Sequence, residues 1–116
     1  MTIKSTNVTI NIKDMDRSIA FYQSIGFAVK GRWGNFYAQL TAPGIIIGLH
    51  PTSESNLKGN SGNLSIGFTA DDLIETKSSL EALSISFSER NEEGGQFLHF
   101  SDPDGNALYF IKTKWG

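Results

Sequence analysis

Asn7-Val8-Thr9-Ile10-Asn11-Ile12-Lys13-Asp14-Met15-Asp16-Arg17-Ser18-Ile19-Ala20-Phe21-Tyr22 reads as a strand that runs into a helix. Val8, Ile10 and Ile12 alternate with Asn7, Thr9 and Asn11, the two-residue period of a strand with one buried face. From Asp14 the period changes. Met15, Ile19, Tyr22 and Ile25 recur at helical spacing, Asp14 is a good N-cap, and Gly26 stands where helices close in a left-handed cap. The same passage is then written again. At an offset of 58, half of the 116 residues, Val8, Ile10, Ile12, Asp14, Met15, Ile25 and Phe27 fall on Ile66, Phe68, Ala70, Asp72, Leu73, Leu83 and Ile85. Repetition of strand, cap and helix in register means two copies of one supersecondary unit.

Outward from the first copy, strands are predicted over Phe27 to Trp33, Phe36 to Thr41 and Ile45 to Leu49. They are separated by the turn formers Gly34-Asn35 and Ala42-Pro43-Gly44. In the second copy Leu64, Ile66, Phe68 and Ala70 form the apolar face of a strand, and Asp72-Leu73-Ile74-Glu75 has capping-box spacing. Strands over Ile85 to Glu89, Gln96 to Ser101 and Ala107 to Lys112 complete it. The expectation is α+β: two tandem βαβββ modules in one domain over 1–116, forming a curved mixed sheet with a concave cleft and helices on the outer face. Module one covers about 5–50, the polar, turn-rich stretch 51–62 is the connector, and module two covers 63–113.

The totals suit a folded domain and narrow its partners. A chain of 116 residues buries well over half of its unfolded surface, and 19% charged residues is too few and too mixed for disorder. Ten Lys and Arg against 12 Asp and Glu leave a net charge of −2, which offers no footprint for nucleic acid or anionic lipid. With no Cys, disulfides, thiolate metal sites and cysteine nucleophiles are excluded. The start has no cationic segment followed by an apolar one, and Ile45-Ile46-Ile47-Gly48-Leu49 is too short to span a bilayer, so a cytoplasmic, unanchored chain is expected.

If the apolar face of each first strand meets its helix, the polar face is left for the concave side. That predicts a cleft lined by Asn7, Thr9, Asn11, Ser65, Gly67 and Thr69. The same alternation also describes the solvated side of an antiparallel sheet, and both readings stay open at this point.

Two stretches carry a resemblance. Asp14 through Tyr22 leading to Ile25-Gly26-Phe27, and Phe100-Ser101-Asp102-Pro103-Asp104-Gly105-Asn106-Ala107-Leu108, resemble the vicinal oxygen chelate superfamily. That superfamily includes glyoxalase I, bleomycin-resistance proteins, fosfomycin-resistance enzymes and extradiol dioxygenases. The resemblance covers nearly the whole chain. Asp102 through Asn106 also has a mechanical reading, since Pro presets a turn dihedral, Gly supplies a positive φ, and Asp and Asn bond their own backbone. It marks a turn, and function has to be argued from the cleft.

The resemblance implies a place for a metal ion: a His on the first strand of each module and a carboxylate on each last strand. The first His stands seven residues before the helix-opening Asp, which here gives Asn7 before Asp14 and Ser65 before Asp72. The carboxylates fall at Gly48 and Tyr109. All four positions depart from the pattern, so no metal and no other cofactor is expected, and the metal-dependent activities of the family are in doubt. Of the two histidines, His50 shares a face with Gly48, and alternation back from Asp102 puts His99 on the cleft side with Phe97. A His50/His99 metal pair has no carboxylate on its faces. Tyr109 beside His99 is either a proton donor to a ligand oxygen or a structural tyrosine.

Applying the Asp102 turn to Thr41-Ala42-Pro43-Gly44 at an offset of 61 places Phe36 opposite Phe97 and Ala38 opposite His99, so that Phe36 and Phe97 flank the cleft. Trp33 and Arg32 precede a turn and could cover a planar or anionic ligand, while Phe21 and Tyr22 belong to the core. The resulting candidate binding set is Asn7, Thr9, Trp33, Phe36, Gly48, His50, Ser65, Phe97, His99 and Tyr109. The expected function is small-molecule binding of a sequestering or resistance type. Bleomycin itself suits a strongly acidic groove better than a chain at −2. The alternative is an enzyme of the same superfamily, a lyase, isomerase or dioxygenase-like catalyst with an atypical or metal-free site, using His99 and Tyr109. A homodimer is expected in either case.

Overall fold

The alternating segment becomes β1 (Val8–Ile12), and the helical stretch after it becomes α1 (Met15–Ser24). The Asp14 carboxylate accepts from the Arg17 amide at 3.1 Å and so satisfies one of the orphan N–H groups of the first turn. β2 (Ala28–Trp33), β3 (Tyr37–Ala42) and β4 (Ile45–Pro51) follow. The second copy gives β5 (Ile66–Thr69), α2 (Leu73–Ala82), β6 (Ser88–Glu92), β7 (Gly95–Ser101) and β8 (Ala107–Thr113). Asp72 caps α2 by accepting from the Ile74 and Glu75 amides at 3.0 and 3.1 Å. The computed structural model describes residues 1–52, 64–92 and 95–113, so the predicted connector lies, from residue 53 on, outside the described residues.

The chain divides into two units, Met1–Lys58 and Gly59–Gly116. Each holds one four-stranded sheet, in the order β1-β4-β3-β2 and β5-β8-β7-β6. In both, the first strand lies parallel to the last, and the remaining pairs are antiparallel. These are two mixed sheets with the same connectivity, as duplication requires.

One face of each sheet is buried against its helix. In the first unit Ile10, Ile12, Leu40, Ile47 and Leu49 pack with Met15, Ile19 and Tyr22 of α1, and Tyr22 meets Phe27 edge-on at 5.4 Å. In the second unit Leu73, Leu80 and Leu98 form the core, with Ala70, Ile85, Phe87 and Phe110 packed around it. Lys77 of α2 reaches Glu89 of β6 at 3.0 Å, which shows that Glu89 points to the helix side. That hydrogen bond, with the Glu89 charge, raises the Lys77 pKa, but the pair is exposed and screened.

The duplication extends to the helix exits. Phe27 N–H donates to Tyr22 C=O and Ile85 N–H donates to Leu80 C=O, both at 2.9 Å and 58 residues apart in the sequence. Gly26 (φ 116°) and Ser84 (φ 59°) occupy the same place in the two turns. Ser84 carries a Cβ in the left-handed region, which Gly26 avoids.

Several strand ends shift by one to three residues from expectation, and two of the shifts have a visible cause. β6 begins at Ser88, three residues after the predicted Ile85, because the Ile85 amide is still engaged in closing α2. β3 begins at Tyr37. The turn after Trp33 contains three residues, Gly34, Asn35 and Phe36, closed by Phe36 N–H donating to Trp33 C=O at 3.0 Å, and Trp33 pairs with Tyr37. Leu64, assigned to the apolar face of β5, is exposed and precedes that strand.

Replacing Ser84 with Gly should raise stability by roughly 0.5–1 kcal/mol in urea unfolding, because it relieves the left-handed residue. Leu98→Ala should cost about 2–5 kcal/mol by opening a cavity in the second core.

Candidate functional site

With one helix per sheet, the second face of each sheet is left uncovered by its own unit's helix. In the first unit the register Thr9↔Gly48, Gln39↔Gly48, Gly31↔Gln39 and Trp33↔Tyr37 puts these residues on the open face. Gly31 and Gly48 lie under aromatic rings. A Cβ on Gly31 would stand 2.9 Å from the Trp33 ring, and one on Gly48 would overlap the Tyr37 hydroxyl. Trp33 and Tyr37 stack at 5.8 Å between centroids with 28° between planes. The Tyr37 oxygen accepts from Asn7 Nδ2 at 3.4 Å and from Gln39 Nε2 at 3.2 Å. Asn7 Nδ2 also reaches Thr9 Oγ1 at 3.4 Å. His50 follows Gly48 on the same face, opposite Asn11, and is exposed.

The open face of the second unit repeats the device. Gly67 pairs with Tyr109 across β5 and β8, and a Cβ on Gly67 would overlap the Tyr109 ring. His99 pairs with Tyr109, and Phe97 with Ile111. Phe97 and His99 stack at 5.7 Å and 15°, and Tyr109 lies 5.8 Å from Phe97 and 5.6 Å from His99. On the neighbouring β6, Ser88 stands opposite His99 and Arg90 opposite Phe97. Ser65 is exposed, one residue before β5. Asp102, only 5% exposed, accepts from the amides of Asp104 and Asn106 and from Asn106 Nδ2 at 2.8–2.9 Å, so the motif it opens is a self-bonded turn.

Of the residues that the sequence reading assigned to one cleft, the structure places Asn7, Thr9, Trp33, Gly48 and His50 on the open face of the first unit's sheet, and Phe97, His99 and Tyr109 on that of the second. Three placements need correcting. Phe36 stands in the β2–β3 turn at 85% exposure, outside β3. Ala38 is fully buried in the first core, so it is not the counterpart of His99. Arg32 points to the helix side, where it pairs with Asp16 at 2.8 Å and donates to Gly34 C=O and Asn35 Oδ1. The cause is turn length. Ala42 pairs with Ile45 across Pro43-Gly44, whereas Asp102 bonds Asn106 across three residues, so the second hairpin is one residue longer. The offset is 61 on the last strand but 60 on the one before it, which makes Tyr37 the counterpart of Phe97 and Gln39 that of His99. Tyr37 and Gln39 are the residues that the sequence reading missed. Their signal was Gly31 and Gly48, bare positions in a face otherwise full of side chains.

The four positions that the resemblance marks for a metal do not fit one. Asn7 offers an amide already engaged with Tyr37, Gly48 has no side chain and no room for one beneath the Tyr37 ring, Ser65 offers a hydroxyl, and Tyr109 a phenol. Among the described residues no three His, Cys, Asp or Glu side chains gather in a group able to hold an ion.

Gly67→Ala should displace the Tyr109 ring, flatten the near-UV circular dichroism of the ring cluster and destabilise the chain by about 1–3 kcal/mol. Adding Tyr109→Ala should recover most of that loss.

The family model described as Glyoxalase/Bleomycin resistance protein/Dioxygenase superfamily matches residues 4–110. The chain is 28% identical over 119 aligned positions to metallothiol transferase FosB of Lysinibacillus sphaericus (strain C3-41), covering 95% of this chain and 83% of that protein. Among solved structures, the fosfomycin resistance protein FosX from Listeria monocytogenes superposes with a TM-score of 0.78 at 19% identity, over 98% of this chain and 96% of that one. A bleomycin-binding protein complexed with bleomycin gives 0.72 at 20% identity, over 97% and 100%. At such identities the structures attest to the fold. No helix among the described residues is long and apolar enough to cross a membrane. The duplicated βαβββ units, the Asp caps, the self-bonded Asp102 turn and a family match over almost the full length agree: the chain belongs to the glyoxalase/bleomycin resistance protein/dioxygenase superfamily.

Proposed function

We propose that the chain is a small-molecule-binding member of this superfamily that works without the family's metal site, in a sequestering or resistance role. One observation carries the reading. The open sheet faces present aromatic rings beside hydrogen-bonding groups, while the positions expected to grip an ion hold Asn7, Gly48, Ser65 and Tyr109. Rings with a few placed polar atoms suit the recognition of an organic molecule, and burial of apolar ligand surface against them contributes roughly 25 cal/mol per Å². That a protein of the same fold is known in complex with bleomycin supports the capacity of this architecture to hold an organic ligand. The proposal includes the homodimer, for which mass by light scattering is the check.

A second reading has one observation in its favour. His99 and Tyr109 lie 5.6 Å apart on an open face, a pair able to hold and donate a proton next to a bound molecule. It makes the chain a metal-free enzyme. Fosfomycin with a thiol is the first substrate pair to try, given the likeness to a fosfomycin resistance protein and to a metallothiol transferase, although the latter's name implies a metal that the residues here do not suit.

Protein purified without a His tag should carry only sub-stoichiometric Mn, Fe, Ni and Zn and keep its melting temperature in EDTA. A stoichiometric metal would end the reading. In a thermal-shift screen, a true ligand at a hundred times its Kd should stabilise the fold by about 2.7 kcal/mol. For a ligand seated on the second unit, Phe97→Ala should weaken binding by about 1 kcal/mol. A broad library with no stabilising compound counts against binding altogether.

A further inference from the structure

We propose that Tyr37 is the hydrogen-bond donor of a ligand subsite on the open face of the first unit, and that this subsite takes a planar molecule bearing a neutral acceptor oxygen such as a carbonyl. The inference rests on the small-molecule reading above and narrows the chemical class of its ligand. A phenol oxygen can accept two hydrogen bonds and donates one. Both acceptor positions of Tyr37 are filled by side-chain amides, Asn7 Nδ2 at 3.4 Å and Gln39 Nε2 at 3.2 Å. No described residue accepts the Tyr37 proton, so the O–H is left for a visitor. Two amide dipoles feeding the oxygen strengthen the remaining donor, because hydrogen bonds in a chain polarise one another.

The ring is also held in place. It lies over Gly48, where even a Cβ would overlap it, and stacks on Trp33 at 5.8 Å. Trp33 lies along the strand over Gly31 and is 56% exposed, which leaves a flat apolar surface beside the directed hydroxyl. Thr9, Gly31, Gln39 and Gly48, which share this face through the strand registers, are uncharged, while His50, two residues beyond Gly48, is a titratable group on the same face. An ionic group would therefore find no counter-charge among the four, whereas a carbonyl finds a donor. Asn7 and Gln39 act here as positioning residues.

The test uses the full chain and three planar probes of similar size: coumarin and 1-methyl-4-quinolone, which carry a carbonyl, and naphthalene, which does not. Dissociation constants come from NMR titration. Tyr37→Phe keeps the ring bedded on Gly48, so its melting temperature should stay close to the native value. The variant should lose about five- to tenfold in affinity for the two carbonyl probes and nothing for naphthalene. Asn7→Ala and Gln39→Leu, which leave the hydroxyl present but undirected, should each lower the preference for carbonyl probes by about two- to threefold. Trp33→Leu should weaken all three probes alike. Carbonyl affinity unchanged in Tyr37→Phe, an equal loss for naphthalene, or no binding of the carbonyl probes to the native chain would overturn the inference. A ligand from the stabilisation screen that ignores Tyr37→Phe but is lost in Phe97→Ala would remove this subsite and leave the wider binding reading standing.

Discussion

Each unit has four strands and one helix, so only one face of each sheet can be buried by its own helix. Side chains alternate between faces, and the aliphatic residues that build each core take the helix side. Ile10, Ile12, Leu40, Ile47 and Leu49 do so in the first unit, as do Leu98, Phe100 and Leu108 in the second. The remaining face is left without a hydrophobic mandate. It can carry amides, hydroxyls and rings that the core does not require.

Large rings on such a face need support, and glycines supply it. Trp33 lies over Gly31, Tyr37 over Gly48 and Tyr109 over Gly67. Where a Cβ would hold the ring off the sheet, its absence lets the ring lie against backbone and keep much of its apolar surface from water. This changes the meaning of Gly48. As a marked ligand position it reads as a loss, a place where a carboxylate is missing. As the bed of Tyr37 it is a requirement, because any side chain would meet the hydroxyl that Asn7 and Gln39 hold. Asn7 changes in the same way, from an absent imidazole to a donor that orients a phenol. The departures from the metal pattern are thus linked: in the first unit they are filled by one hydrogen-bonded, stacked group.

Much of the architecture was legible because the signals are local. The alternation at Val8 to Ile12, the caps Asp14 and Asp72, and the helix exit at Gly26 each depend on a few neighbouring residues, and the offset of 58 lets one copy check the other. The absence of a fitting donor set was equally readable, since residue identity alone rules out a carboxylate at Gly48 or an imidazole at Ser65. The Asp102 turn read correctly as mechanics, and its carboxylate is consumed by its own loop.

Which aromatic ring lies on the open face could not be read in this way. A two-residue turn after Trp33 would have paired it with Phe36; the three-residue turn pairs it with Tyr37 and moves every assignment on the next strand by one. Because the side-chain period is two, a single residue in a turn exchanges the core face for the open one, and this is why Ala38 is buried and Gln39 is not. Turn length is settled by closing contacts, the Trp33–Phe36 hydrogen bond at one end of β3 and the longer Asp102 loop in the other copy, and those form only when the strands pair. Residue patterns were enough for the order of elements and for most of the core. The identity of the ring that lies over Gly48 had to wait for strand register, which depends on the assembled sheet.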